Sequence, residues 1–92
     1  MVKVIVQHKV RNFDTWKPVF DSASNLHKKY GGTNIEVGIL HGTKDHVCIT
    51  GNFDTIENFK AFSNSAEFKS KMKEGGVITE PVITILEEKA RG

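Results

Sequence analysis

The stretch FDTWKPVFDSASNLHKKY constrains this chain most. Within it Phe13, Trp16, Phe20, Ala23, His27 and Tyr30 recur at alternating steps of three and four, with Val19 and Leu26 on the flank. That spacing predicts one amphipathic helix over residues 13–30, with a wide apolar stripe that holds the only Trp and the only Tyr. A stripe of this width must be covered, and the strand-like runs on either side of it supply the cover.

Those runs alternate with a period of two. Val2, Val4, Val6, His8 and Val10 share one face of a first strand. Asn12 or Asp14 can cap the helix, and Gly31-Gly32 ends it. A second strand is predicted over 33–41, with Ile35, Val37, Ile39 and His41 on one face, then a hairpin turn over 42–45. A third strand over 46–53 turns Val47, Ile49 and Phe53 one way and His46, Cys48 and Thr50 the other. Asp54-Thr55-Ile56-Glu57 reads as a capping box, followed by two helical segments that meet at a bend at Asn64-Ser65. Pro81 opens a last strand over 82–87, and Ala90-Arg91-Gly92 is expected to fray.

The order βαββαβ with right-handed crossovers specifies an α+β, ferredoxin-like domain over residues 1–92. Its antiparallel sheet has the order 4-1-3-2 and both helical segments on one face. The other face would carry Lys3, Ile5, Gln7, Lys9, Leu40, Cys48 and Thr50, and the last strand is apolar on both sides. A solvated sheet face is normally more polar, so a second copy packing sheet to sheet is expected, giving a homodimer.

Composition narrows the class further. The chain is 38% hydrophobic and 26% charged, with a net charge of +2 spread along its length. Lys28-Lys29 and Lys69, Lys71 and Lys73 lie near helix ends, where they read as a solvated face rather than a nucleic-acid footprint. No apolar run reaches membrane-spanning length and the N-terminus lacks the layout of a signal peptide, so no membrane partner is expected. The lone Cys48 forms no internal disulfide, which favours a cytoplasmic setting.

The topology sends His8 and His41 to one edge of the sheet, where the helix start brings Phe13 and Trp16 and the helix end brings Phe68 and Met72. With Phe20 these would wall a hydrophobic pocket for a small molecule. Each histidine reads either as a half-buried residue bonded to backbone or as a ligand-contacting, acid–base group. His27 lies eleven residues beyond Trp16, about 16 Å along a straight helix, and reads as structural. No HxH, CxxC or HExxH spacing occurs, so no metal is expected. The serines lack a nucleophile elbow and Gly75-Gly76 is no phosphate loop.

FDTWKPVFD after a first strand, then NFDTIENFKAFSNSAEFKSKMKEGGV and PVITIL, resemble the dimeric α/β-barrel superfamily. The chain is most similar to antibiotic-biosynthesis-monooxygenase-like and stress-responsive A/B-barrel small proteins. The resemblance implies a dimer of ferredoxin-like subunits, each with a pocket between sheet and helices. It also implies a monooxygenase- or cyclase-like activity, without a cofactor, on a hydrophobic aromatic compound. His8 and His41 would then be the catalytic candidates, with Phe13, Trp16, Phe20, Phe68 and Met72 contacting substrate. The alternative is a binding or dimerisation module without chemistry.

Overall fold

Alternation in the first segment does what its period demands. In the computed structural model, which describes residues 1–89, strand β1 spans Val2–Lys9 and buries Val2, Val4, Val6 and His8 on one side. Helices α1 (Phe13–Ser22) and α2 (Ser24–Lys29) follow, then strands β2 (Gly32–Ile39) and β3 (His46–Phe53). Helices α3 (Ile56–Ser63) and α4 (Ala66–Glu74) lead to strand β4 (Val82–Glu87). The sheet runs β2-β3-β1-β4 with every neighbour antiparallel, which is the expected order read from the other edge. The expected tail at Ala90-Arg91-Gly92 lies outside the described residues.

Side-chain caps start three of the helices. Asn12 Oδ1 accepts from the Thr15 N–H at 3.0 Å, so Asn12 rather than Asp14 is the cap of α1. Thr55 Oγ1 accepts from the Asn58 N–H, and Ser65 Oγ from the Phe68 N–H, each at 3.1 Å. Ser65 also donates to the Phe62 carbonyl at 2.7 Å, so one hydroxyl ends α3 and begins α4. That is the expected bend.

Two expectations need correction. The stripe over 13–30 is not one helix. Ser22 Oγ donates back to the Val19 carbonyl at 2.6 Å, and the Ala23 N–H bonds Phe20 three residues back. Ala23 has φ −92° and ψ 7°, outside the helical well, so the chain breaks there and restarts. The stripe still faces the sheet, with Trp16 and Ala23 buried. The second correction concerns the end of β2, which stops at Ile39 rather than His41. The turn begins at Leu40, whose carbonyl takes both the Thr43 N–H at 3.0 Å and the Thr43 hydroxyl at 2.7 Å. Gly42 at φ +85° supplies the left-handed conformation such a turn needs. His41 is carried out of the strand and is exposed.

Two packed groups hold the layers together. Val2, Val4 and Val6 meet Phe53, Phe59 and Phe62 beneath α3, while Val10, Trp16 and Val47 form the second group at the start of α1. On the opposite side, register pairs Lys3 with Leu86, Ile5 with Thr50 and Thr84, and Gln7 with Cys48 and Val82. Val82 is 63% exposed and Leu86 46%, so the uncovered face is apolar along β4. No described helix is long and apolar enough to cross a membrane.

Candidate functional site

The site grows from the one polar side chain on the buried face of β1. His8 continues the run of Val2, Val4 and Val6, so strand parity alone turns it toward the helices, where it is 4% exposed. Its partner in the sheet is Val47, itself fully buried. The ring meets Trp16 edge-on, with centroids 5.8 Å apart at 71°. Nδ1 is buried and has no hydrogen-bond partner among the described residues.

From Trp16 a chain of rings runs under the helices. Trp16 stacks on Phe20 at 4.9 Å, Phe20 meets His27 at 5.3 Å, His27 meets Phe62 at 5.2 Å, and Phe62 meets Phe68 at 4.7 Å. Between these rings lies a cavity of about 50 Å³, open to His8, Trp16, Phe20, His27, Phe68 and Met72. One edge is closed by Lys71 of α4, whose Nζ donates to Ser22 Oγ at the end of α1 at 2.8 Å. Gly75 lets Trp16 approach the end of α4 closely; a Cβ there would stand 2.8 Å from Trp16 Cδ1.

Of the residues expected at this site, His8, Trp16, Phe20, Phe68 and Met72 line one cavity. Phe13 stands behind them, its ring 5.8 Å from Trp16. His41 does not take part, because the early turn removes it to the surface. His27, which a straight-helix distance sets apart from the pocket, is part of its wall. Trp16 and His27 line the same cavity because the Phe20 ring meets both of theirs. The signal was present in the spacing, since Phe20 and His27 are seven residues apart on one stripe.

Burial shifts two imidazoles the same way, the buried His8 and the half-buried His27. Burial lowers the His8 pKa below the ordinary 6.5; its own backbone partly opposes this, and the nearby His46 charge adds to it. Burial also lowers the His27 pKa. Both rings are therefore neutral near pH 7, each with one nitrogen able to accept a proton or a hydrogen bond. His46 lies on the opposite face of the sheet, where its Nε2 pairs with Gln7 Oε1 at 3.0 Å. Among the described residues no three His, Cys, Asp or Glu side chains gather as a metal site.

No protein-family profile and no curated protein matches this chain. Solved structures do. A candidate antibiotic biosynthesis monooxygenase from Bordetella bronchiseptica superposes with a TM-score of 0.80 at 14% identity, over 97% of both chains. One from Caulobacter crescentus gives 0.79 at 15% identity, over 97% of this chain and 90% of that one. SnoaB, a cofactor-independent oxygenase from Streptomyces nogalater, gives 0.72 at 10% identity, over 99% and 93%. At such low identity the likeness carries architecture rather than chemistry. This chain has the ferredoxin-like α+β fold of the antibiotic-biosynthesis-monooxygenase-like proteins.

Proposed function

We propose that this chain is a homodimeric, cofactor-independent monooxygenase- or cyclase-like enzyme acting on a hydrophobic aromatic compound, with His8 as the proton acceptor. The observation that carries the proposal is the unpartnered Nδ1 of His8, a residue that lines a mostly apolar cavity. A buried polar atom without a partner costs about 1–3 kcal/mol, which a fourth inward valine on β1 would avoid. A substrate hydroxyl supplies the missing partner.

The chemistry follows from a neutral imidazole in a dry site. His8 takes a proton from a phenol or from the activated carbon beside it, leaving an electron-rich anion. In the oxygenase form, dioxygen is the co-substrate that accepts electrons from that anion. An activated methylene loses both hydrogens, one oxygen atom becomes the carbonyl, and the other leaves with the hydrogens as water. Trp16, Phe20, Phe68 and Met72 exclude bulk water from the anion, and Phe13 supports Trp16 from behind. The dimer belongs to the proposal on the strength of the exposed Val82 and Leu86 beside Ile5 and Cys48. A cytoplasmic setting rests on the single cysteine.

A second reading, a binding or dimerisation module without chemistry, is favoured by the small size of the cavity at His8. About 50 Å³ is far below the roughly 300 Å³ at which small-molecule pockets begin. Aerobic incubation with 1,8-dihydroxyanthrone and 1-naphthol, followed by oxygen uptake and quinone absorbance, decides between the two. Turnover that His8→Asn abolishes supports the enzyme; no turnover of either compound supports the module.

A further inference from the structure

The cavity at His8 is not the largest space beneath α1 and α2. Between the same helices and the start of β2 lies a groove of about 460 Å³, within the size range of small-molecule sites. Two side chains, Phe20 and His27, line both spaces. They stand ring to ring at 5.3 Å and form the partition between them.

The far wall of the groove is made by an irregularity in β2. The register of β2 against β3 shifts between Thr33 and Glu36, where three steps on one strand oppose two on the other. Asn34 takes φ +52° in this bulge, a conformation asparagine tolerates better than most residues. The bulge bends the strand edge and places Ile35 on the groove. The floor is thus apolar and partly aromatic: Phe20, His27 and Ile35.

Charge defines the rim. Asp21 lines the groove but is held by Lys17 Nζ at 2.7 Å. Lys28 lines it without a recorded ion pair among the described residues. One uncompensated positive charge therefore faces an apolar floor.

We propose that the groove is the outer half of the ligand site and takes a fused-ring aromatic molecule bearing one acidic group, a carboxylate or an ionised phenol. The rings lie on Phe20, His27 and Ile35, the acid faces Lys28, and movement of Phe20 and His27 joins the groove to the cavity at His8. His27 then touches the ligand directly. The proposal rests on the reading above that an aromatic compound is the guest of this fold, and it explains how so small an inner cavity serves one. The break at Ala23, which lies between Phe20 and His27 and itself lines the cavity, lets the two residues move on separate helices.

The test uses the full chain and 1-hydroxy-2-naphthoate, with Trp16 fluorescence as the readout and 1-naphthol as the uncharged comparator. Ser24→Glu and Thr33→Glu put bulk and negative charge on opposite walls of the groove. Each is expected to raise the naphthoate Kd about tenfold or more, a change of about 1.4 kcal/mol, with melting by circular dichroism unchanged. Lys28→Gln should weaken the naphthoate roughly two- to fivefold and leave 1-naphthol unaffected. Naphthoate binding indifferent to both wall variants would overturn the groove, while oxygen uptake lost in His8→Asn would keep the enzyme. Groove-dependent binding with no oxygen uptake by any variant would keep the groove and remove the oxygenase. Failure of both naphthalenes to bind would overturn the groove and its guest together.

Discussion

The imidazole of His8 presents to the indole of Trp16 edge-on, 5.8 Å between centres, and no hydrogen bond reaches its buried Nδ1. Two residues from different elements, a strand and the helix after it, thereby create a polar point in an aromatic enclosure. This relationship sets stability against function at one position.

Replacing His8 by Leu removes the unpartnered nitrogen and keeps a side chain of comparable bulk. The variant is expected to gain about 1 kcal/mol, or a rise of about 4–8 °C in Tm for a chain this size. Any proton-transfer activity should fall about 100-fold or more in the same variant. Thermal melting and oxygen uptake on one preparation check both effects; a drop in Tm would mean that His8 is a satisfied structural residue.

The pH dependence of stability has a definite sign. The folded pKa values of His8 and His27 lie below the ordinary 6.5, so the unfolded chain binds protons that the folded one resists. Their contribution is fully present above about pH 6.5 and is lost as pH falls from there through the folded values. Tm should decline over that acidic window, and His8→Leu with His27→Leu should flatten the decline. Melts at half-unit intervals between pH 7.5 and about 4.5 measure it.

Gly75→Ala tests how tightly Trp16 is seated. The backbone there has φ −77°, which alanine accepts, so the main obstacle is the indole 2.8 Å from the new Cβ, with the Lys71 carbonyl next at 3.2 Å. A loss of about 1–3 kcal/mol in urea denaturation is expected, with a red shift of Trp16 emission as the ring is displaced. Trp16→Ala should cost more, about 3–5 kcal/mol.

The proposed dimer predicts an assembly twice the 10.3 kDa chain mass at micromolar concentration. Ile5→Glu puts a charge at the middle of the uncovered face, between Thr50 and Thr84, and should leave only the monomer. Sedimentation velocity separates the two, and a wild-type monomer would reject the dimer.

How far the letters led depends on whether local chemistry decided the feature. Strands alternate and helices cap through near neighbours, so β1, β3, the Ser65 bend and the strand order were all readable. His8 was readable for the same reason, as parity fixes the side it faces. His41 was misplaced by two residues because a Thr43 hydroxyl competes for the Leu40 carbonyl and starts the turn early. The break at Ala23 turns on one back-bonded serine, Ser22, which no apolar period reveals. Axial distance along a helix misses His27, because the Phe20 ring spans the gap between it and Trp16. The volume of the cavity was not legible, since it depends on how Lys71, Met72 and Trp16 fit together after folding.

The interruption at Ala23 has a thermodynamic corollary. It divides the roof over His8 into pieces of ten and six residues, each below the roughly 12–15 residues at which an isolated helix begins to persist in water. Neither piece has autonomous order, so the roof exists only while it is glued to the strands beneath. Amide exchange should therefore release the six-residue piece well before the sheet, a partial melting that uncovers the interior without dismantling the molecule.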